Sequence, residues 1–210
     1  MMPDTTVRKF DLNIEKMLEG WEVRHALREL IANALDEQAL TDTADVKIEK
    51  DSKGAWHVRD YGRGLKYEHL TQNENKEKLR NASKVVGKFG VGLKDALATL
   101  HRRNVVVAIR SRHCDVTLQV ASKYDFSDII TLHAVISPSA DAALIGTDAV
   151  FQGISDSDIA DAQKFFLKFS GETVLDSTGY GQILRRGLNG KAHIYVKGIL
   201  VAEEEEFAFS

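Results

Sequence analysis

Between residues 104 and 153 four runs follow one another, NVVVAIRSR, DVTLQVAS, DIITLHAVIS and GTDAVFQG, each carrying β-branched residues. Such side chains sit well on a pleated surface and lose rotamer freedom in a helix, so each run reads as a strand. No long helical run separates them, and short connections join antiparallel neighbours. A mostly antiparallel sheet therefore dominates any fold open to this chain. DVKIEKD and AWHVRDY, turning on SKG with Gly54, add two further strands.

The helical stretches are placed around this sheet. One is expected from about Trp21 to Leu40, and a second, LKDALATLHR, follows a glycine cluster at 87–92. A third, SDIADAQKFFLKF, starts from a capping pattern of Ser155 and Asp158. HIYVKGILVA reads as a hairpin turning at Lys197-Gly198, although lysine suits positive φ poorly. The economical arrangement is an α+β fold, one sheet with helices on one face.

With 210 residues, two prolines and no Gly/Ser-rich linker, the chain shows no clear internal boundary. The working division is a core at 1–154 and a C-terminal helix and hairpin at 155–210 packed on it, or the start of a second domain. A net charge of −3 from well-mixed acids and bases argues for neither a nucleic-acid nor a membrane surface. No apolar run approaches the roughly 20 residues of a membrane span, and the N-terminus lacks a signal peptide's apolar centre. The single cysteine, Cys114, excludes an intramolecular disulfide. A soluble, cytoplasmic protein is expected. Its histidines and Cys114 have no metal-ligand spacing.

Three local patterns carry chemistry. In ELIANALDEQ, Glu29, Asn33 and Asp36 fall within about 60° of one another around the helix. The ordinary reading is a solvated face opposite Val23, Leu27, Leu30, Ile31 and Ala34. A mid-helix asparagine, mildly unfavourable, keeps the functional alternative open. In RDYGRGL, Asp60 ends a strand and Gly62 and Gly64 follow, an arrangement that admits unusual backbone angles and close approach of a ligand. A carboxylate there can accept a hydrogen bond from an exocyclic amine such as adenine's; a plain β-turn is the alternative. In VVGKFGVGLKDAL, Gly87, Gly90 and Gly92 precede a helix, as in backbone cradles for phosphate. The spacing fits neither a Walker loop nor a dinucleotide fingerprint.

Together these elements resemble the GHKL superfamily of ATP-binding proteins, which includes the gyrase B subunit, MutL, the ninety-kilodalton heat-shock chaperone, MORC proteins and sensor histidine kinases. The family order is E-x-x-x-N-x-x-D on a helix, D-x-G-x-G, G-x-x-G-x-G opening a helix, and Gly-Thr before a strand, here Gly146-Thr147. The resemblance covers about residues 20–155. It implies the Bergerat fold, a two-layer α/β sandwich with the nucleotide between helices and sheet, and ATP with Mg²⁺ as cofactors.

The resemblance also implies roles. Asn33 would hold Mg²⁺, Glu29 would activate the hydrolytic water, and Asp36 would hold these groups in place. Asp60 would read the adenine amine, with Thr147 joining through its hydroxyl, and Gly62 and Gly64 would let the backbone approach the purine. Gly87, Gly90, Val91, Gly92 and Leu93 would wrap the phosphates, with Lys94 and Asn73 as weaker candidates. The polar segment at about 71–92 would act as a nucleotide-dependent lid.

The function implied is slow Mg-dependent ATP hydrolysis working as a switch toward a protein partner or second copy. A nucleotide sensor without turnover is the main alternative. A GHKL protein kinase is disfavoured because Glu29 and Gly146-Thr147 belong to the gyrase and chaperone branch. His25 in RHALREL lies on the same helix as Asn33, whereas a phosphoacceptor histidine lies on a separate one.

Overall fold

The computed structural model describes residues 6–12, 20–71, 78, 80–81, 85–86, 92–123, 126–186 and 190–209. It divides into two compact units, Met1–Ser155 and Asp156–Ser210. The first contains β1 (Arg8–Asp11), α1 (Val23–Thr41), β2 (Lys47–Lys50), β3 (Trp56–Arg59) and α2 (Tyr67–Thr71). Then follow α3 (Gly92–Arg102), β4 (Val106–Ser111), β5 (Asp115–Lys123), β6 (Phe126–Ser137) and β7 (Thr147–Gln152).

The seven strands form one sheet in the order β1-β6-β5-β4-β7-β3-β2. Every pairing in it is antiparallel. Strand β1, which the sequence patterns did not mark, closes one edge on β6. Strand β7, the last of these seven in chain order, inserts between β3 and β4, bringing Thr147 beside the residue that follows β3.

Register separates the two faces. Val58, Ala149, Ile109, Val116 and Ile136 are consecutive cross-strand partners, and all five are buried. The neighbouring residues on the opposite face are Arg59, Asp148, Arg110, Asp115 and Ser137, also consecutive partners. The apolar face takes the helices: α1 packs on α3 and β3, and α3 on β4. Ala26, Leu27 and Ile31 of α1 and Ala96 and Leu100 of α3 are fully buried. Each such leucine or isoleucine contributes roughly 1.5 to 3 kcal/mol on leaving water. This is a mostly antiparallel α+β architecture of the Bergerat type.

Helix α1 starts where the Glu22 backbone N–H donates to His25 Nδ1 at 3.0 Å, satisfying one orphan donor. Burial first, then Arg24 and Arg28, hold the His25 ring below its usual pKa, which suits a neutral acceptor. The helix ends on Asp42 in the left-handed region, φ 51°.

The second unit corrects the expected single C-terminal helix. Helix α4 (Asp156–Gln163) stops, and a separate turn, α5 (Leu167–Ser170), follows. Between them Phe166 is buried and bridges Ile199, while the Leu167 N–H donates to the Gly198 carbonyl at 2.8 Å. Burial of Phe166 in a strand-like conformation thus outweighs continuation of the helix. Two hairpins complete the unit: β8 (Val174–Ser177) with β9 (Gln182–Leu184), not foreseen, and β10 (Ala192–Val196) with β11 (Ile199–Glu204). The second turns as read, and Lys197 takes the left-handed conformation despite its side chain, φ 54°, beside Gly198 at 79°. No described helix is long and apolar enough to cross a membrane.

Candidate functional site

Strand pleating extends the apolar face by one polar rung. Thr147 pairs with Ser111, and the Asp60 N–H donates to the Thr147 carbonyl at 3.0 Å. Asp60, Thr147 and Ser111 therefore continue the face of Val58, Ala149 and Ile109. Asp60 Oδ1 accepts from the Gly62 N–H at 2.9 Å and the Thr147 N–H at 3.3 Å. The carboxyl is only 4% exposed. Burial is the main reason that its pKa is pushed up to about 6; the Glu37 charge adds to this, and the bonds from Gly62 and Thr147 oppose it.

Two glycines allow this corner to close. A Cβ on Gly146 would collide with the Asp60 carbonyl, and its φ is 80°. A Cβ on Gly64 would lie 2.7 Å from Ser111 Oγ, and its φ is 86°. Strand β4 and the turn after it hold the loop from the other side. Ser111 Oγ donates to the Leu65 carbonyl at 2.9 Å, and His113 Nε2 lies 2.9 Å from the Arg63 carbonyl. Cys114 is buried beside it, and burial pushes its thiol up to about 11.

Helix α1 borders this corner through Glu37, which sequence reading passed over. Glu37 Oε1 accepts from the Arg63 N–H at 2.8 Å and Nε at 2.9 Å, and Oε2 accepts from Nη2 at 2.9 Å. Burial raises the Glu37 carboxyl, but the Arg63 bonds outweigh it and the net position is below the usual range. Gly62 has no Cβ because the Glu37 side chain fills that space. The only advance hint of Glu37 was its acidic place one residue beyond Asp36.

Asp36 is 1% exposed, so this part of the polar stripe is interior and not solvated. Its Oδ1 accepts from the Val86 N–H at 2.6 Å and its Oδ2 from Lys78 Nζ at 2.7 Å. The same ammonium donates to Asn33 Oδ1 at 2.9 Å. Lys78 had gone unnoticed inside a polar, lysine-rich segment. Two hard oxygens thus already face a cation at this point. An amide oxygen beside a carboxylate is a donor set that also suits Mg²⁺.

Further toward the start of α1, Glu29 Oε1 accepts from Arg28 Nη2 at 2.6 Å. A Cβ on Gly92, the first residue of α3, would collide with Glu29 Oε2. Asp95, in the first turn of α3, is raised by burial and then by the Glu29 charge. Lys94 places its ammonium 5.1 Å from the Phe10 ring centre, and Leu93 is half-buried. Asn73, Gly87, Gly90 and Val91 lie outside the described residues, as does most of the segment expected to form the lid.

One face of α1 therefore carries Glu29 against the start of α3, Asn33 and Asp36 around a cation, and Glu37 against the Asp60 loop. Residues 21–147, more than half of the chain, match the family model described as histidine kinase-, DNA gyrase B- and HSP90-like ATPase. The chain belongs to this ATPase family. Residues 21–147 accordingly form an ATP-binding domain of the GHKL type, as the motif order implied. Residues 157–210 match the model for the Mycoplasma pneumoniae MPN635 N-terminal domain. An uncharacterized protein of Mycoplasma pneumoniae is 38% identical over 208 residues, covering 97% of this chain and 83% of the relative.

Proposed function

We propose that this domain binds ATP with Mg²⁺, hydrolyses it slowly, and uses the cycle as a conformational switch toward a protein partner or a second copy. The observation that carries the reading is the continuity of the α1 face. From Glu37 to Glu29 it spans eight residues, about 12 Å, and each end touches one of the two glycine motifs. An extended nucleotide has that length scale.

In this reading the Asp60 carboxylate accepts the adenine amine, with its orientation held by Gly62 and Thr147. Gly64 admits the purine against the main chain, and Thr147 contributes its hydroxyl. Asn33 would hold Mg²⁺, which when bound bridges and neutralises the phosphates. Asp36 keeps Asn33 in place through their shared cation. Glu29 would orient and deprotonate the attacking water through a carboxylate oxygen directed at the α3 N-terminus, where phosphate charge is favoured.

The Arg28–Glu29 contact at 2.6 Å favours a second reading, a sensor that holds nucleotide without turnover, since a carboxylate oxygen engaged by a guanidinium is not free to orient a water. Phosphate release from the parent protein and from Glu29→Ala separates the two. Equal background rates would leave the sensor. Calorimetric titration with ATP and Mg²⁺ tests binding itself, and no heat of binding in the parent protein would end both readings.

A further inference from the structure

The contact between Lys78 and Asn33 spans 45 residues of chain and is not explained by packing alone. The ammonium sits on the amide oxygen that the ATPase reading assigns to Mg²⁺. Its second acceptor, Asp36 Oδ2, belongs to a side chain with no solvent exposure, and the Lys78 side chain is itself only 15% exposed. A lysine drawn this far inward has lost most of its hydration, and these two oxygens offset part of that loss. Asp36 is also tied to the Val86 N–H, which fixes the carboxylate and makes the cation position specific.

We propose that Lys78 and Mg²⁺ are alternative cations at one subsite: Lys78 supplies the positive charge beside the phosphates when metal is scarce and leaves Asn33 Oδ1 when Mg²⁺ is bound. This rests on the nucleotide-binding reading above. Two cations on one amide oxygen repel strongly in a partly buried setting, so occupation by one opposes the other. The lysine is a mobile point charge on a flexible stem, and it can follow a phosphate oxygen once displaced. Nucleotide binding then depends less on divalent metal than it would with Asn33 alone.

The test is a thermodynamic cycle on ADP binding, measured by calorimetry for the parent protein and Lys78→Met, each with excess Mg²⁺ and with EDTA. Lys78→Met is expected to weaken ADP binding about tenfold or more in EDTA while leaving it unchanged or tighter in Mg²⁺. Lys78→Arg, which keeps the charge, is expected to retain most of the metal-free binding. An equal change in both conditions would overturn the exchange while leaving nucleotide binding intact. No ADP binding by the parent protein in either condition would instead sink the nucleotide reading, and the exchange with it. Should Lys78→Met alone fail to fold because the buried Asp36 loses this ammonium, the double variant Asp36→Asn/Lys78→Met removes the pair together. It is compared with Asp36→Asn in the same two conditions, with the same criterion.

Discussion

Gly146 cannot carry a side chain, because the carbonyl of Asp60 occupies the place of its Cβ. The contact joins the start of β7 to the end of β3, and backbone atoms on both sides cannot yield. Gly146→Ala combines this collision with a φ of 80°. A loss of roughly 3 kcal/mol or more is expected. Gly54→Ala is the control: its φ is similar, 85°, but nothing lies within 4 Å of its Cβ. Strain alone should cost about 1 kcal/mol there. Urea unfolding of the two variants checks the difference, and equal losses would show that the Asp60 contact does not matter.

The raised pKa of Asp60 has a consequence for stability. Its folded pKa is about 6, mainly from burial, against an ordinary value of 3.8. The group binds its proton more tightly when folded, so its stabilising contribution is complete below about pH 4. That contribution is lost as pH rises through 6, an effect of roughly 2 to 3 kcal/mol. Glu37, whose folded pKa is lowered, runs the other way, stabilising above its unfolded pKa and losing that as pH falls. Asp60→Asn isolates the first effect, since an amide oxygen still accepts from Gly62 and Thr147. The stability of the variant minus that of the parent should rise between pH 4 and pH 7.5; a flat difference would contradict the assignment.

Asp60→Asn also replaces the acceptor proposed for adenine. ATP affinity is expected to fall about tenfold or more, a loss of ~1.4 kcal/mol. Calorimetry at constant Mg²⁺ reads this directly. Unchanged affinity would remove Asp60 from the base-binding contact.

Glu29 separates binding from turnover. Its side chain is 23% exposed and pairs with Arg28 on the same helix turn, so Glu29→Ala should stay folded within about 1 kcal/mol. ATP affinity should change less than about threefold while phosphate release falls by about 10²-fold or more. Parallel losses of affinity and rate would assign Glu29 to ligand binding instead.

Asp36→Ala removes the carboxylate 2.7 Å from the inward-drawn Lys78 ammonium and the oxygen that accepts from the Val86 N–H. A destabilisation of about 3 to 5 kcal/mol is expected. Thermal unfolding would register this as a drop of roughly 6 to 20 °C. A shift within error would mean that the buried pair contributes nothing net.

Much of the candidate site's layout was legible because its signals are local. Glu29, Asn33 and Asp36 share a helix face by spacing alone, and Asp60-x-Gly-x-Gly advertises an unusual turn. The six strands from DVKIEKD to GTDAVFQG were marked by their β-branched content. Strand β1 was not, since RKFD owes its strand state to pairing with β6. The break between α4 and α5 was hidden for the same reason, because Phe166 leaves the helix only to meet Ile199. Lys78 gave no advance sign and Glu37 only its place beside Asp36: a lysine or glutamate in a polar stretch looks solvated until its partner is known.

The amino-acid order alone determined most of the elements, their succession and the motif set that assigns the family, since propensity, periodicity and glycine spacing act over a few residues. Tertiary structure decided what those elements meet. It inserted β7 between β3 and β4, turned Asp36 from a wet face into an interior anchor, and set Lys78 on Asn33. Each of these depends on groups distant in the chain, whose attraction is expressed only once a shared core excludes water from the space between them.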